Sequence, residues 1–484
     1  MLQNLEKYLL EAAGSDKEEI ALENPFRNIG FDGEQTRLGW AKTFTFLKIK
    51  ESLENISVLL EGKKSFIFIG MGGSINGMKP LFTAFKSHSF YTLDNLDPAA
   101  LEDILGKIDD LSQTLVIAIS KSGTTKETQL LASSLKELFS ILLDKDEWHK
   151  NFLWLSDPCA FKKLDSLGWE RVKKASIQFD GQSDIGGRFS SPHTLIFFLP
   201  LFLLLNKNLN KLEEIYNLFV SLQEKIREKA YQACAKYSEK KDAYFSPVIA
   251  RELGESFSSW IVQLFQESLG SKDKKLPVKT ITNATDKDMF SELELDLKID
   301  NPAVKLMSQM YFFQVFVAYY SAFKNLNFVT QDFVEKYKQQ MNELENRRGK
   351  EEILSEMNLE EIIAETKKNI LLEQNFIEIV LYFYPAPVIM EAIRESFAKA
   401  FRGKKILIFI GSDWNHQSYQ AAFAAKDTYF VLLITSYRLQ AAGIPTKILS
   451  KNAETFKMIA KATYLTLKSK AIFVKIKAPI RRLL

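Results

Sequence analysis

Between residues 65 and 205 the chain alternates short apolar runs with helical patterns, and this alternation restricts the fold more than any other feature. The apolar runs fall at 66–69, 89–93, 115–119, 152–155 and 176–179. Strands separated by helices form a parallel sheet with helices on both faces. Similar runs return at 406–410, 429–434 and 471–476, with a short one at 278–281. Between the two series, residues 208–270 read as strongly helical, residues 304–326 as a long apolar helix, and 342–368 as a charge-dense, solvated helical surface. A chain of 484 residues can build two sizeable cores. The expected organisation is a helical segment at 1–50, one α/β domain at 51–207 and a second at 208–484.

An internal echo supports two sheets. Residues 62–70 and 403–411 agree at seven of nine positions. Both read as buried strands ending in glycine, where a doubly wound sheet places its ligand loop. They are expected to be the opening strands of two similar domains.

The bulk properties exclude several classes. A net charge of +4 on 484 residues is too weak to imply nucleic acid. The two cysteines, Cys159 and Cys234, stand in no metal or redox spacing, which fits a reducing compartment. The first residues form an amphipathic pattern without a signal peptide's apolar core. The apolar run at 194–205 contains Pro200 and is about a dozen residues long, short of the roughly 20 that span a membrane. A soluble, cytoplasmic protein is expected, with no membrane or nucleic-acid partner.

Two loops carry the chemistry. The first strand ends in Gly70-Met71-Gly72-Gly73-Ser74-Ile75-Asn76-Gly77, where glycines let backbone approach a ligand. Alone, this is equally well a tight turn. The run at 115–119 ends in Ser120-Lys121-Ser122-Gly123-Thr124-Thr125-Lys126-Glu127-Thr128 and leads into a helix. Hydroxyl donors and free N–H groups at a positive helix end suit a phosphate monoester, whose oxygens are acceptors. Loops on adjacent strands offer sites for the two ends of a sugar phosphate.

These two motifs together resemble the sugar isomerase (SIS) domain. Asp184-Ile185-Gly186-Gly187-Arg188-Phe189-Ser190 is similar to a signature of the glucose-6-phosphate isomerase family. Arg37-Leu38-Gly39-Trp40 resembles the start of the isomerase half of transaldolase–isomerase fusions. The likeness runs, with gaps, from about residue 36 to 425. It implies an α/β fold of two doubly wound parallel-sheet SIS-type domains (three-layer αβα) with N-terminal helices and helical insertions. It also implies aldose–ketose isomerisation of a hexose 6-phosphate without a metal or other cofactor. Members of the family often dimerise and complete the site across the interface, so a homodimer is an expectation of the same kind.

Position by position, the resemblance places phosphate contacts at Ser120, Lys121, Ser122, Thr125 and Thr128, and the sugar end at Gly73 and Ser74. Gly187 and Arg188 match the position whose guanidinium stabilises an enediolate, as a fixed cation beside a developing oxyanion would. The alternative for Arg188 is a surface ion pair, which its place between Gly187 and a buried apolar run disfavours. Glu267 lies at the end of a half-buried helical run, where burial and the negative helix end make a carboxylate a better proton acceptor. Outside the motif it would be an ordinary helix-end acid. It is similar to the glutamate of the family's Glu-Ser-x-Gly-Lys, with Ser271 in place of the lysine and Lys272 next. Gln263, one turn earlier, matches a substrate-contacting glutamine. Residues 328–338 resemble Phe-Asp-Gln-x-x-Val-Glu-x-x-Lys, with Gln331 and Lys338 in place and the aspartate lost; Lys338 then corresponds to the lysine at the ring oxygen. Of the four histidines, His88 and His149 sit in polar contexts and His193 beside the signature. His416 falls in a segment similar to the family's Gly-x-x-x-x-His-x-x-Tyr-Gln, so it is either the ring-opening group or a structural imidazole.

The reading is therefore isomerisation of glucose 6-phosphate and fructose 6-phosphate through a cis-enediolate. Glu267 shuttles the proton, Arg188 stabilises charge, and His416 with Lys338 opens the ring. A regulator that binds sugar phosphate would keep the 120–128 turn but lack the base. An amidotransferase isomerase would need an N-terminal nucleophilic cysteine. The sequence leaves open the configuration accepted at the second carbon, and so mannose 6-phosphate.

Overall fold

The computed structural model describes residues 4–143, 147–270, 276–346, 354–441 and 443–477. Five strands form a wholly parallel first sheet. Their spatial order is Phe90–Leu93, Ser65–Ile69, Thr114–Ile119, Phe152–Ser156 and Lys173–Ser176. The last strand begins three residues earlier than the apolar pattern at 176–179 indicates. Alternate side chains part to opposite faces as the period of two requires. Phe66, Phe68, Leu115, Ile117 and Ile119 enter one core, while Ile67, Ile69, Val116, Ala118 and Trp154 enter another.

A second parallel five-stranded sheet runs Glu356–Met357, Ala471–Ile476, Thr428–Ile434, Phe376–Tyr382 and Lys405–Ile410. One face, with Val380, Tyr382, Phe430 and Leu432, shares the core that the first sheet's Ile67 and Trp154 enter. The other face, with Ile377, Ile379, Val431 and Leu433, packs a third core. The layers thus run core, sheet, shared core, sheet, core. The fold is α/β with parallel sheets and helices on their faces, as expected.

The echo between 62–70 and 403–411 does not join equivalent strands. In the first sheet Ser65–Ile69 lies inside, between its two successors. The strand in that place in the second sheet is Phe376–Tyr382, whereas Lys405–Ile410 is an edge strand and only partly buried. Sequence reading passes over Phe376–Tyr382 because Glu378 interrupts its apolar run. Glu378 is fully buried and ion-paired to Lys279, so the charge is compatible with a central strand.

The region 208–270 is two helices, Leu209–Tyr237 and Gly254–Leu269, divided by a strand, Ala243–Pro247. That strand joins Val278–Thr280 and Ser291–Leu293 in a small parallel sheet. The long apolar helix is Pro302–Lys324. It starts where the Asn301 side chain accepts the Ala303 and Val304 N–H groups, and ends at Asn325 in the left-handed region. The helix Leu195–Leu204 is buried core, with Pro200 inside it. Among the described residues no helix is long and apolar enough to cross a membrane.

Candidate active site

In the first sheet the strand order reverses between Ser65–Ile69 and its neighbour Thr114–Ile119, and loops leaving such a switch point diverge into a crevice. The two loops singled out from the sequence leave these two strands. The first makes a short turn, Gly72–Ser74. Its Gly73 lies against the signature loop so closely that a Cβ there would come within 2.2 Å of the Gly187 carbonyl carbon and 2.5 Å of the Arg188 nitrogen. Gly73 therefore has a packing reason for lacking a side chain, whereas a Cβ on Gly187 would meet only the Gly73 Cα, at 4.0 Å. Ser74 is half-buried.

The second loop opens the helix Lys126–Leu142. Thr125 precedes that helix but does not cap it with its side chain. Its hydroxyl instead lies 3.0 Å from Ser120 Oγ, and Ser122 Oγ lies 2.9 Å from Thr124 Oγ1. The first-turn N–H groups of the helix thus keep their capacity for an anion. Thr128 is fully buried and its hydroxyl has no protein partner. Lys121 turns the other way. Its Nζ donates to the carbonyls of Ile185 and, at 3.4 Å, Ser183, tying this turn to the signature loop, with Asp157 at 3.7 Å. Burial pulls its pKa down.

The signature loop is held from behind. Arg37 donates to the Ser183 carbonyl at 2.9 Å, Lys42 pairs with Asp184 at 2.7 Å, and Trp40 stacks on Phe189 with ring centroids 5.0 Å apart. Arg188 is thereby fixed with only 2% of its surface exposed. Its three donor groups reach Glu267 Oε1 at 2.9 Å, Ser268 Oγ at 2.8 Å and the Phe328 carbonyl at 2.6 Å. Burial lowers its pKa, and the Glu267 charge opposes that.

Glu267 comes from the last turn of Gly254–Leu269 and is 5% exposed. Besides Arg188, its carboxylate accepts from Gln331 Nε2 at Oε1 and from Gln263 Nε2, 2.9 Å away, at Oε2. The Gln263 amide also donates to the His416 carbonyl at 3.0 Å. His416 Nε2 lies 3.0 Å from Oε1 of Glu127, a residue in the first turn of the helix after the hydroxyl loop. A continuous path therefore runs from the 120–128 turn through Glu127, His416 and Gln263 to Glu267.

The structure thus joins Arg188, Glu267, Gln263, Gln331 and His416 in one cluster beside Gly73 and Gly187. Lys338 is not in contact with Glu267. Its side chain is 46% exposed and donates to Glu335 at 2.7 Å, although its charge is felt by both Glu127 and His416. Ser271 and Lys272 lie outside the described residues. Sequence reading missed Glu127, although it stands inside the quoted motif as an acid in a helix's first turn. It also missed Asn76, fully buried, whose amide donates to Gln263 Oε1 at 3.2 Å and Asp413 Oδ1 at 3.1 Å.

A cleft of about 620 Å³ lies along the same helix, beside Ser258, Ser259 and Val262 and the edge strand Lys405–Ile410, reaching Lys79 and Asp413. None of the residues singled out from the sequence lines it. Among the described residues no three or more His, Cys, Asp or Glu side chains are grouped as a metal site.

Residues 57–214, which hold the first sheet, both loops and the signature, match the family model described as Phosphoglucose isomerase. A glucose-6-phosphate isomerase of Campylobacter jejuni is 29% identical over 272 residues, 54% of this chain and 63% of the relative. One of Thermus thermophilus is 34% identical over 131 residues, 26% of this chain and 30% of the relative. The matched stretches thus span less than two thirds of either relative. Among solved structures, a hypothetical protein of Thermus thermophilus shares the fold. Its TM-score is 0.52 at 18% identity, over 72% of this chain and 96% of that one. The family-model match falls on the strands and loops that form the crevice, so over residues 57–214 the chain is similar to the phosphoglucose isomerase family.

Proposed function

We propose that the protein is a sugar-phosphate aldose–ketose isomerase that interconverts glucose 6-phosphate and fructose 6-phosphate through a cis-enediolate. The observation that carries this reading is the buried Glu267 carboxylate gripped by Arg188, Gln263 and Gln331, and linked through His416 and Glu127 to the hydroxyl turn. In this reading the two units are SIS-type domains at 51–207 and 208–484 behind the helical 1–50 segment.

Ser120, Ser122 and Thr125, with the open N–H groups of the following helix, hold the phosphate. Lys121 keeps that turn in register with the signature loop, and Thr128 lies behind it. Gly73, Ser74 and Gly187 line the sugar. The His416 imidazole, charge-coupled to Glu127, moves protons between the ring oxygen and the first carbon's hydroxyl as the pyranose opens, with Lys338 adding positive charge. Glu267 takes the proton from the second carbon and returns it to the first. Arg188 stabilises the enediolate oxygens, and Gln263 and Gln331 hold the carboxylate in line. The phosphate turn fixes the 6-phosphate end, which selects the substrate class.

A coupled assay on glucose, mannose and glucosamine 6-phosphates tests the reading. Turnover of glucose 6-phosphate is expected. Glu267→Gln should lower kcat by about 10²- to 10⁴-fold, the scale of a lost proton-transfer group, while binding of a sugar phosphate changes only a few fold. Saturable binding with no turnover of any of the three would make the protein a sugar-phosphate-binding regulator instead.

A further inference from the structure

Gln263 presents its Nε2 to two acceptors, the Glu267 carboxylate at 2.9 Å and the His416 carbonyl at 3.0 Å. A side-chain amide can turn over with almost no change of shape. Turned over, it would set its oxygen against the carboxylate. These two acceptors favour NH₂ on this side, and the group on the other side anchors the oxygen. That group is Asn76, whose Nδ2 donates to Gln263 Oε1 at 3.2 Å and to Asp413 Oδ1 at 3.1 Å.

Asp413 is 8% exposed, and Lys79 stands 4.0 Å from its Oδ2 as counter-charge, itself paired to Asp94. Gln417 donates to the same Oδ2. Burial, with the Asp94 charge, holds the Asp413 pKa above its ordinary value, against the Lys79 charge, the Asn76 hydrogen bond and the His416 charge. As a carboxylate, Asp413 only accepts, so it forces the Asn76 amide to present NH₂. That NH₂ forces Gln263 to present its oxygen to Asn76 and its NH₂ to Glu267. Two acidic ends and two amides between them leave one consistent arrangement.

We propose that Asn76 and Asp413 are positioning residues for the reaction. Together they anchor the Gln263 oxygen in the one hydrogen-bond polarity that its two acceptors allow, and so hold Glu267 in the orientation in which it exchanges protons with substrate. Neither touches Glu267, and Asp413 and Lys79 open onto the 620 Å³ cleft. The inference rests on the isomerase reading for its kinetic consequence, not for the polarity itself.

Asn76→Asp keeps the shape but removes the donor, and Asn76→Ala removes it without adding charge should the first fail to fold. Either should lower kcat about 10- to 100-fold, as a misplaced reacting group does, with KM within about threefold. The exchange Asn76→Asp with Asp413→Asn restores the bond between the two positions but leaves an acceptor facing Gln263. It should recover the melting temperature while kcat stays low. In protein labelled with ¹⁵N-glutamine, the Gln263 side-chain NH₂, assigned by its loss in Gln263→Ala, should exchange with solvent faster in each variant. Recovery of kcat by the exchange, or unaltered Gln263 exchange in the single variants, would overturn the positioning role. If wild-type protein turns over no hexose 6-phosphate while Gln263 responds as expected, the isomerase reading fails and the polarity relay stands.

Discussion

His416 shows how a single partner sets the chemistry of a group. Burial alone would push its imidazole pKa down. The hydrogen bond to Glu127 and that carboxylate's charge, with a smaller contribution from Asp413, outweigh burial and raise it, against the nearby Lys338 charge. The effect is reciprocal. Burial raises the Glu127 pKa, and the His416 hydrogen bond and charge bring it below its ordinary value. Removing the charge of Glu127 while keeping its shape leaves burial unopposed by its largest counterweight. Glu127→Gln should therefore move the His416 ionisation to lower pH, and with it the limb of the kcat/KM profile that tracks this group. An NMR titration of the four histidines checks it, with the His416 resonance identified by its loss in His416→Gln. An unmoved titration would remove Glu127 from control of the imidazole.

The loops at the switch point are fitted to one another as backbone against backbone. Gly73 approaches Gly187 too closely for any side chain, because a Cβ would stand 2.3 Å from the Gly187 oxygen. Arg188, the next residue, carries the guanidinium that meets Glu267. Gly73→Ala must displace the signature loop, and a strain of about 1–3 kcal/mol is expected in the stability measured by denaturant unfolding. Activity should fall by more than that figure implies, since the Arg188–Glu267 contact moves with the loop. Gly14 has open space around it, so Gly14→Ala should stay within about 0.5 kcal/mol of wild type. Equal effects of the two substitutions would show that the close approach does not constrain the loop.

Across the molecule, the small sheet is pinned to the second large sheet by a buried charge pair. Lys279 of Val278–Thr280 meets Glu378 of Phe376–Tyr382, at 1% and 0% side-chain exposure, and Trp414 Nε1 donates to the other carboxylate oxygen at 3.0 Å. Such a pair adds little net stability over a well-packed apolar pair, but removing one partner strands the other charge in the core. Lys279→Met should cost about 3–5 kcal/mol. Lys279→Met combined with Glu378→Leu should recover most of it. Denaturant midpoints of the two single variants and the double variant measure this coupling, and a neutral Lys279→Met would refute it.

The short continuous apolar runs and their glycine- and hydroxyl-rich ends were readable because such signals are local. Four strands of the first sheet, and the two loops after 65–69 and 114–119, follow from residues within ten positions of one another, while the last strand lies three residues before its apolar run. Arg188, Glu267 and Gln263 could be singled out by motif, but not the 2.9 Å contact that makes Arg188 and Glu267 one unit. Neighbourhood was decided by tertiary structure alone. The echo at 403–411 marks an edge strand because sheet order depends on which faces find a core to cover them. Glu378 could enter a central strand only because Lys279, 99 residues away, meets it there. Glu127 acquired its role from an imidazole 289 residues on, and Lys338, on a partly solvated helix face, turned to Glu335. Local pattern sets the elements and the chemistry available at their ends. Burial and long-range packing then choose which of those groups meet, because removing them from water makes an unpaired charge or donor costly.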